Sequence, residues 1–148
     1  MPQITNRDTT TDSWKPSLCI DFDGVIHGYS KGWQGGVIYD LPVPGFFEWA
    51  DKAKHYFKLE IFSTRSDCHK NAAPMRDWLG VNLWSWKMDH PDSTLIIDDF
   101  NFPYSKPKSM ISIDDRCITF KGDWSAPELQ PENLKAFRPW NDKEKVKP

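Results

Sequence analysis

Leu18-Cys19-Ile20-Asp21-Phe22-Asp23-Gly24-Val25 joins a short apolar run to two carboxylates spaced two residues apart, with a glycine directly after them. Residues 17–22 read as a fully buried strand, short, apolar and bounded by turn formers. Residues two apart share one side of a strand. At a strand's end the chain is leaving the sheet, so both aspartates can line the crevice at its carboxyl edge, where α/β proteins bind ligands. Two carboxylates this close repel each other unless a positive charge lies between them. A hard cation such as Mg²⁺ meets that need, because it takes a few carboxylates and fills its remaining shell with water and phosphate. The plainer reading is a polar strand-to-turn junction, since Asp and Gly are common in turns. The octet alone does not choose between the two.

Three further segments extend the pattern. Leu59-Glu60-Ile61-Phe62-Ser63-Thr64-Arg65 ends an apolar run in two hydroxyls. Ser105-Lys106-Pro107-Lys108 supplies lysines, and Met110-Ile111-Ser112-Ile113-Asp114-Asp115-Arg116 ends a second apolar run in paired carboxylates. This order of DxD, hydroxyl, lysine and carboxylate pair resembles the haloacid dehalogenase-like (HAD) superfamily of phosphotransferases, over roughly residues 18–124. Pro42-Val43-Pro44-Gly45, Lys106-Pro107, Ile113-Asp114-Asp115-Arg116 and Phe120-Lys121-Gly122-Asp123-Trp124 also look like a group of small HAD-like proteins of phages and bacteria.

The resemblance implies phosphoryl transfer through an aspartyl-phosphate. It assigns the nucleophile to Asp21 and the general acid and base to Asp23, whose backbone carbonyl also binds the metal in the family. It puts a phosphate-binding hydroxyl at Ser63, with Thr64 next in line if the strand ends one residue later. Helix capping is the ordinary use of both. Arg65 reads equally as a phosphate contact or a surface residue. The lysine of the motif falls on Lys106, with Lys108 close by, although most lysines are exposed loop charges. The metal set is Asp21, Asp23, Asp115 and Asp114, holding Mg²⁺, with Asp115 favoured as the direct ligand and Asp114 as its neighbour. Asp98-Asp99 also follows an apolar run, but it precedes Lys106, against the family order, and reads as an acidic turn. His27, His55, His69 and His90 show no metal spacing; His27 alone, close behind DFDGVI, has the position to face the crevice.

At 148 residues the chain has the size of one domain. A net charge of −2 and a pI near 6.1 give no overall basic surface for nucleic acid, though they leave room for a local basic patch. The three cysteines lack metal spacing, and Cys19 and Cys117 lie in apolar patterns where cysteine acts as a small hydrophobe; a reducing, cytoplasmic setting is expected. Residues 1–13 have no apolar core of a signal peptide, and no run has the length of a membrane span. Among the eight tryptophans, Trp49 and Trp78 read as core and Trp33 as a candidate rim residue.

The pattern predicts an α/β fold: a Rossmann-like, mainly parallel sheet with helices on both faces. Residues 1–15 are expected to be a disordered lead, 16–124 the hydrolase domain, and 125–148 an extended or disordered tail. Residues 27–36 read as a loop or small hairpin, followed by a possible short strand at Val37-Ile38-Tyr39. Helices are expected over 46–57 by the 3.6-residue period and over 69–79, ended by Gly80, with Pro74 delaying or kinking the second. Strands are expected at 59–62, 81–86, 94–97 and 110–113, with 117–120 as an edge.

About twenty residues separate Asp23 from the first helix, and core elements fill most of 63–106. Neither interval holds a folded cap, so the family pattern implies an open, essentially capless enzyme admitting a large phosphorylated substrate such as a nucleic-acid end or a protein. The function expected is a Mg²⁺-dependent phosphomonoester hydrolase. The alternatives are a polynucleotide-end phosphatase and a catalytically idle binding module with an aromatic surface.

Overall fold

Strand β1 (Ser17–Ile20) occupies the middle of the sheet, as its run of buried Leu18, Cys19 and Ile20 requires of a strand covered on both faces. The computed structural model describes residues 14–142. Its sheet has four parallel strands in the order β3-β2-β1-β4, with β2 at Lys58–Ile61, β3 at Phe100–Asn101 and β4 at Ile111–Ile113. Pairing matches Ile20 with Ile61 on one side and with Ile113 on the other. The chain therefore leaves β1, β2 and β4 at one edge and one level. The first crossover goes to β2 and the last returns across to β4, so the topology switches direction between β1 and β4. Crevices for ligands open at such points.

Helix α1 (Phe46–Ala53) begins after Gly45, whose φ of 92° lies in the left-handed region that glycine tolerates. It buries Phe46, Phe47, Ala50 and Ala53. The periodicity predicted a helix to residue 57, but it stops at Ala53. The Lys15 ammonium donates to Lys54 O at 2.7 Å, satisfying a carbonyl at the helix end, and Lys58 N–H donates to Pro16 O, which feeds the chain into β2. Lys15 is thus held in place, contrary to its expected membership of a disordered lead; residues 1–13 lie outside the described residues.

Helix α2 (His69–Met88) corrects two expectations at once. Gly80 lies inside it rather than capping it, and 81–86 is helix rather than strand. Ala72, Met75, Leu79 and Leu83 are its buried positions, and their 3–4 spacing carries through the glycine. Val81 and Trp84 face solvent. The expected strand at 94–97 is also absent. There Leu95 N–H donates to Ser93 Oγ and Ile96 N–H to Asp99 Oδ2, so side chains take the donors a ladder would need. A 3₁₀ turn over Ile97–Asp99 follows, and the strand forms at Phe100–Asn101 instead. Residues 37–39 and 117–120 form no ladder either.

Phe22, Ile26, Leu59, Ile61, Met75, Leu79, Leu95 and Phe100 form the core, with Trp49 and Trp78 packed against it. No helix among the described residues is long and apolar enough to cross a membrane. Residues 125–142 are not an extended tail. Pro127 and Pro131 open a 3₁₀ turn (Pro127–Leu129) and helix α3 (Pro131–Lys135), as their fixed φ favours. The segment then returns to the sheet edge, where Trp140 Nε1–H donates to Gly24 O at 2.8 Å and Asn141 Nδ2–H to Gly28 O at 2.9 Å.

Candidate active site

One hydrogen bond past the end of β1, from Asp21 N–H to Ile113 O at 2.9 Å, extends the pairing and sets Asp21 beside the residues that follow β4. Asp21, Asp114 and Asp115 each present a carboxylate oxygen within 4.8 Å of the others. Asp114 is exposed and accepts Arg116 N–H at 2.8 Å. Asp115 differs from it. Its side chain is only 2% exposed, and its oxygens have no hydrogen-bond donor among the described residues except the adjoining Asp21 carboxyl when that carries a proton. Arg116 Nε stands 4.0 Å from Asp115 Oδ2, too far for a hydrogen bond.

Buried carboxylate oxygens without partners are costly, and the protonation of the cluster reflects it. Burial first, then the Asp114 charge and the adjoining Asp115 carboxyl, push Asp21 up to about 8. Burial also raises Asp115. An oxygen-only set of three adjoining carboxylates, one of them buried with no cationic or amide donor, fits Mg²⁺. Of the four sequence-predicted ligands, the cluster unites Asp21, Asp114 and Asp115.

The linkage has a sign. The folded chain keeps a proton on Asp21 up to about 8, whereas an unperturbed aspartate loses it near 3.8. The folded state binds more protons across that window, so metal-free stability falls as pH rises through it. Metal binding expels the proton. The rise in Tm on adding Mg²⁺ is therefore expected to be larger near pH 8 than near pH 5.5, by thermal unfolding with and without the ion; an equal or smaller rise at the higher pH contradicts it.

Gly24 places Asp115. Its φ is 85°, and a Cβ built there collides with Asp115 Oδ2. Gly24→Ala is expected to add backbone strain of about 1–2 kcal/mol and to displace that carboxylate. Isothermal titration should show Mg²⁺ binding weakened at least tenfold, and wild-type affinity would contradict the assignment.

The Asp23 side chain, expected to act as acid and base while its backbone carbonyl meets the metal, stands outside the three-carboxylate cluster. Its carboxylate turns from the cluster to Arg65, which donates from Nε to Oδ2 at 2.8 Å and from Nη2 to Oδ1 at 3.0 Å. His27 Nδ1 lies 2.8 Å from Oδ1. Asp40 N–H donates to His27 Nε2 at 3.1 Å, which leaves the ring proton on Nδ1, pointed at Asp23. Burial alone would raise Asp23, but the His27 and Arg65 hydrogen bonds and the Arg65 charge outweigh it and hold the carboxyl below its ordinary value. Arg65 is neither a surface residue nor a free phosphate contact: it is 7% exposed, and its Nη1 also donates to Gly36 O. His27 is fully buried among the rings of Phe22, Tyr29, Tyr39 and Trp78.

Ser63, just past β2, is buried; its Oγ accepts Arg65 N–H at 3.1 Å, leaving its own proton to donate. Thr64 is exposed. Lys106 is exposed and makes no hydrogen bond or ion pair among the described residues, nor does Lys108. Lys106 still acts at short range, since its charge lowers the Cys19 and Cys117 thiols against the burial that raises both. Asp98 and Asp99 stand apart from the cluster, paired with Arg76 at 2.6 Å and Lys54 at 3.5 Å. Sequence reasoning missed Trp140 and Asn141 altogether, because no periodicity or motif surrounds them.

No family model matches this chain, and neither a curated protein nor a solved structure matches it.

Proposed function

We propose that this chain is a HAD-like, Mg²⁺-dependent phosphomonoester hydrolase, built on a Rossmann-like sheet with helices on both faces and no substantial cap. One observation carries the reading: Asp21, Asp114 and Asp115 meet at the switch point of a parallel sheet, with the Asp115 carboxylate buried and given no donor but the Asp21 carboxyl. Asp21, Asp115 and Asp114, with the Asp23 carbonyl, are the groups proposed to hold Mg²⁺. When bound, the ion supplies positive charge that offsets the phosphoryl oxygens.

An Asp21 carboxylate oxygen attacks phosphorus, and the ester oxygen leaves with a proton from Asp23. Asp23 then takes a proton from water, which attacks the aspartyl-phosphate at phosphorus and frees Asp21 and inorganic phosphate. Asp23 rests ionised, the form suited to the second step. For the first step it must take up a proton against the Arg65 and His27 contacts that hold it ionised, and a negative phosphate beside it works in that direction. Ser63 Oγ–H donates to a phosphoryl oxygen, while Lys106 closes on the same group from its loop.

The test is Mg²⁺-dependent phosphate release from para-nitrophenyl phosphate and a panel of phosphorylated metabolites, lost on chelation. No release from any member overturns the reading in favour of a binding module. Lys106→Ala is expected to lower kcat/KM more than Lys108→Ala, and the reverse ranking moves the role to Lys108.

A further inference from the structure

We propose that the groove between loop 28–32 and segment 139–142 seats the terminal nucleotides of a single-stranded nucleic acid whose end phosphate reaches the carboxylates. The inference rests on the hydrolase reading and names the substrate of that site.

The groove encloses about 590 Å³ and is lined by Tyr29, Lys31, Arg116, Trp140 and Asn141, among others. It adjoins the site through two of its lining residues. Trp140 donates its indole N–H to Gly24 O at 2.8 Å, and Gly24 abuts Asp115. Arg116 follows Asp115 in the chain, with its side chain 60% exposed.

Trp140 is the central observation. Its one polar atom is committed to Gly24, so the ring is oriented, yet the residue remains 63% exposed. An aromatic face held in one orientation and left open to water is a ready stacking platform, and every base offers it a π-face. Tyr29 adds a second ring. Its φ of 57° is rare for a residue with a side chain, and such backbone persists where the surroundings hold it, often at ligand clamps. Here the Tyr29 ring lies edge-on to buried His27 at 5.8 Å. Lys31 and Arg116 bring two cations to the same groove in a chain of net charge −2, which concentrates positive charge where a phosphodiester would run. Asn141 spends its amide N–H on Gly28 O and keeps its carbonyl oxygen for a base donor. Asp142 at the same groove limits the footprint to a few phosphates. Flat rings interleaved with cations suit bases and phosphodiesters; a phosphopeptide offers no regular succession of flat faces.

The experiment compares para-nitrophenyl phosphate, a phosphoserine peptide, and oligo-dT of about ten residues carrying a 5′- or a 3′-phosphate, in wild type, Trp140→Ala and Lys31→Ala. Wild-type kcat/KM is expected to be about tenfold or more higher on one of the oligonucleotides than on para-nitrophenyl phosphate. Each variant should lose several-fold more on the oligonucleotide than on the small ester. Lys31→Ala should also flatten the log–log salt dependence of oligonucleotide binding by about 0.7, measured by anisotropy on Asp21→Asn protein. Lys31 is an exposed loop residue, so this arm stands even if Trp140→Ala fails to fold. Turnover of the small ester with no oligonucleotide preference, equal losses on both substrates, or preference for the phosphopeptide overturns the groove and leaves the hydrolase reading intact. Oligonucleotide binding that depends on Lys31 without turnover of any ester upholds the groove and overturns the hydrolase reading.

Discussion

Asp21→Asn is expected to lower Mg²⁺-dependent phosphate release by a factor on the order of 10⁴ or more while the protein stays folded. The substitution keeps the shape of the side chain and removes its ability to attack phosphorus. It also bears on the electrostatics of the cluster. Metal-free Asp21 is held neutral to about pH 8 by burial and by the charge of Asp114 and the Asp115 carboxyl, and asparagine imitates that neutral form. Stability without metal should therefore be kept at neutral pH, its decline between about pH 4 and pH 8 should flatten, and the Tm increment from Mg²⁺ should shrink. Phosphate-release kinetics and thermal unfolding across pH measure both halves. Wild-type turnover by Asp21→Asn would remove the aspartyl-phosphate mechanism, and an unchanged pH profile would remove Asp21 as the proton-holding group.

Arg65→Ala is expected to destabilise the fold by about 3 kcal/mol or more, because removing one member of a buried pair strands the other. The Arg65 guanidinium grips both oxygens of Asp23 and the Gly36 carbonyl from a position 7% exposed, and Trp33 stacks over it at 4.9 Å. One substitution thus leaves a carboxylate against His27 alone and frees the loop that carries Trp33. Arg65→Lys should recover little, since an ammonium cannot form the two-pronged contact. Adding Asp23→Asn to Arg65→Ala should restore part of the lost stability by removing the stranded charge, whereas the two losses would simply add if the residues did not interact. Urea unfolding of the four proteins decides it, and Arg65→Ala within about 0.5 kcal/mol of wild type would mean that the pair contributes nothing.

Local pattern determined a good part of this protein. The runs read at 17–22, 59–62 and 110–113 are short, largely apolar and end at chemistry-bearing residues, so strands leading to Asp21, Ser63 and Asp114-Asp115 are legible in sequence order, with ends within two residues of those formed. That the carboxylates of Asp21, Asp114 and Asp115 meet at one sheet edge then follows from parallel pairing. Elements whose apolar residues serve two periods were not legible. Residues 81–86 form a short, mostly apolar run of strand length, yet they continue the buried stripe of α2 through Leu83, and only packing tells these apart. At 94–99, Ser93 and Asp99 capture backbone donors that hydropathy does not register. Tertiary structure alone decided the pairing of Asp23 with Arg65. That pairing spans 42 residues and the Trp140 contact with Gly24 spans 116. A buried ion pair or a lone indole hydrogen bond has no period and no neighbouring signal. Each forms because the sheet brings a largely buried polar group within reach of a donor, and that proximity does not exist until the strands have paired.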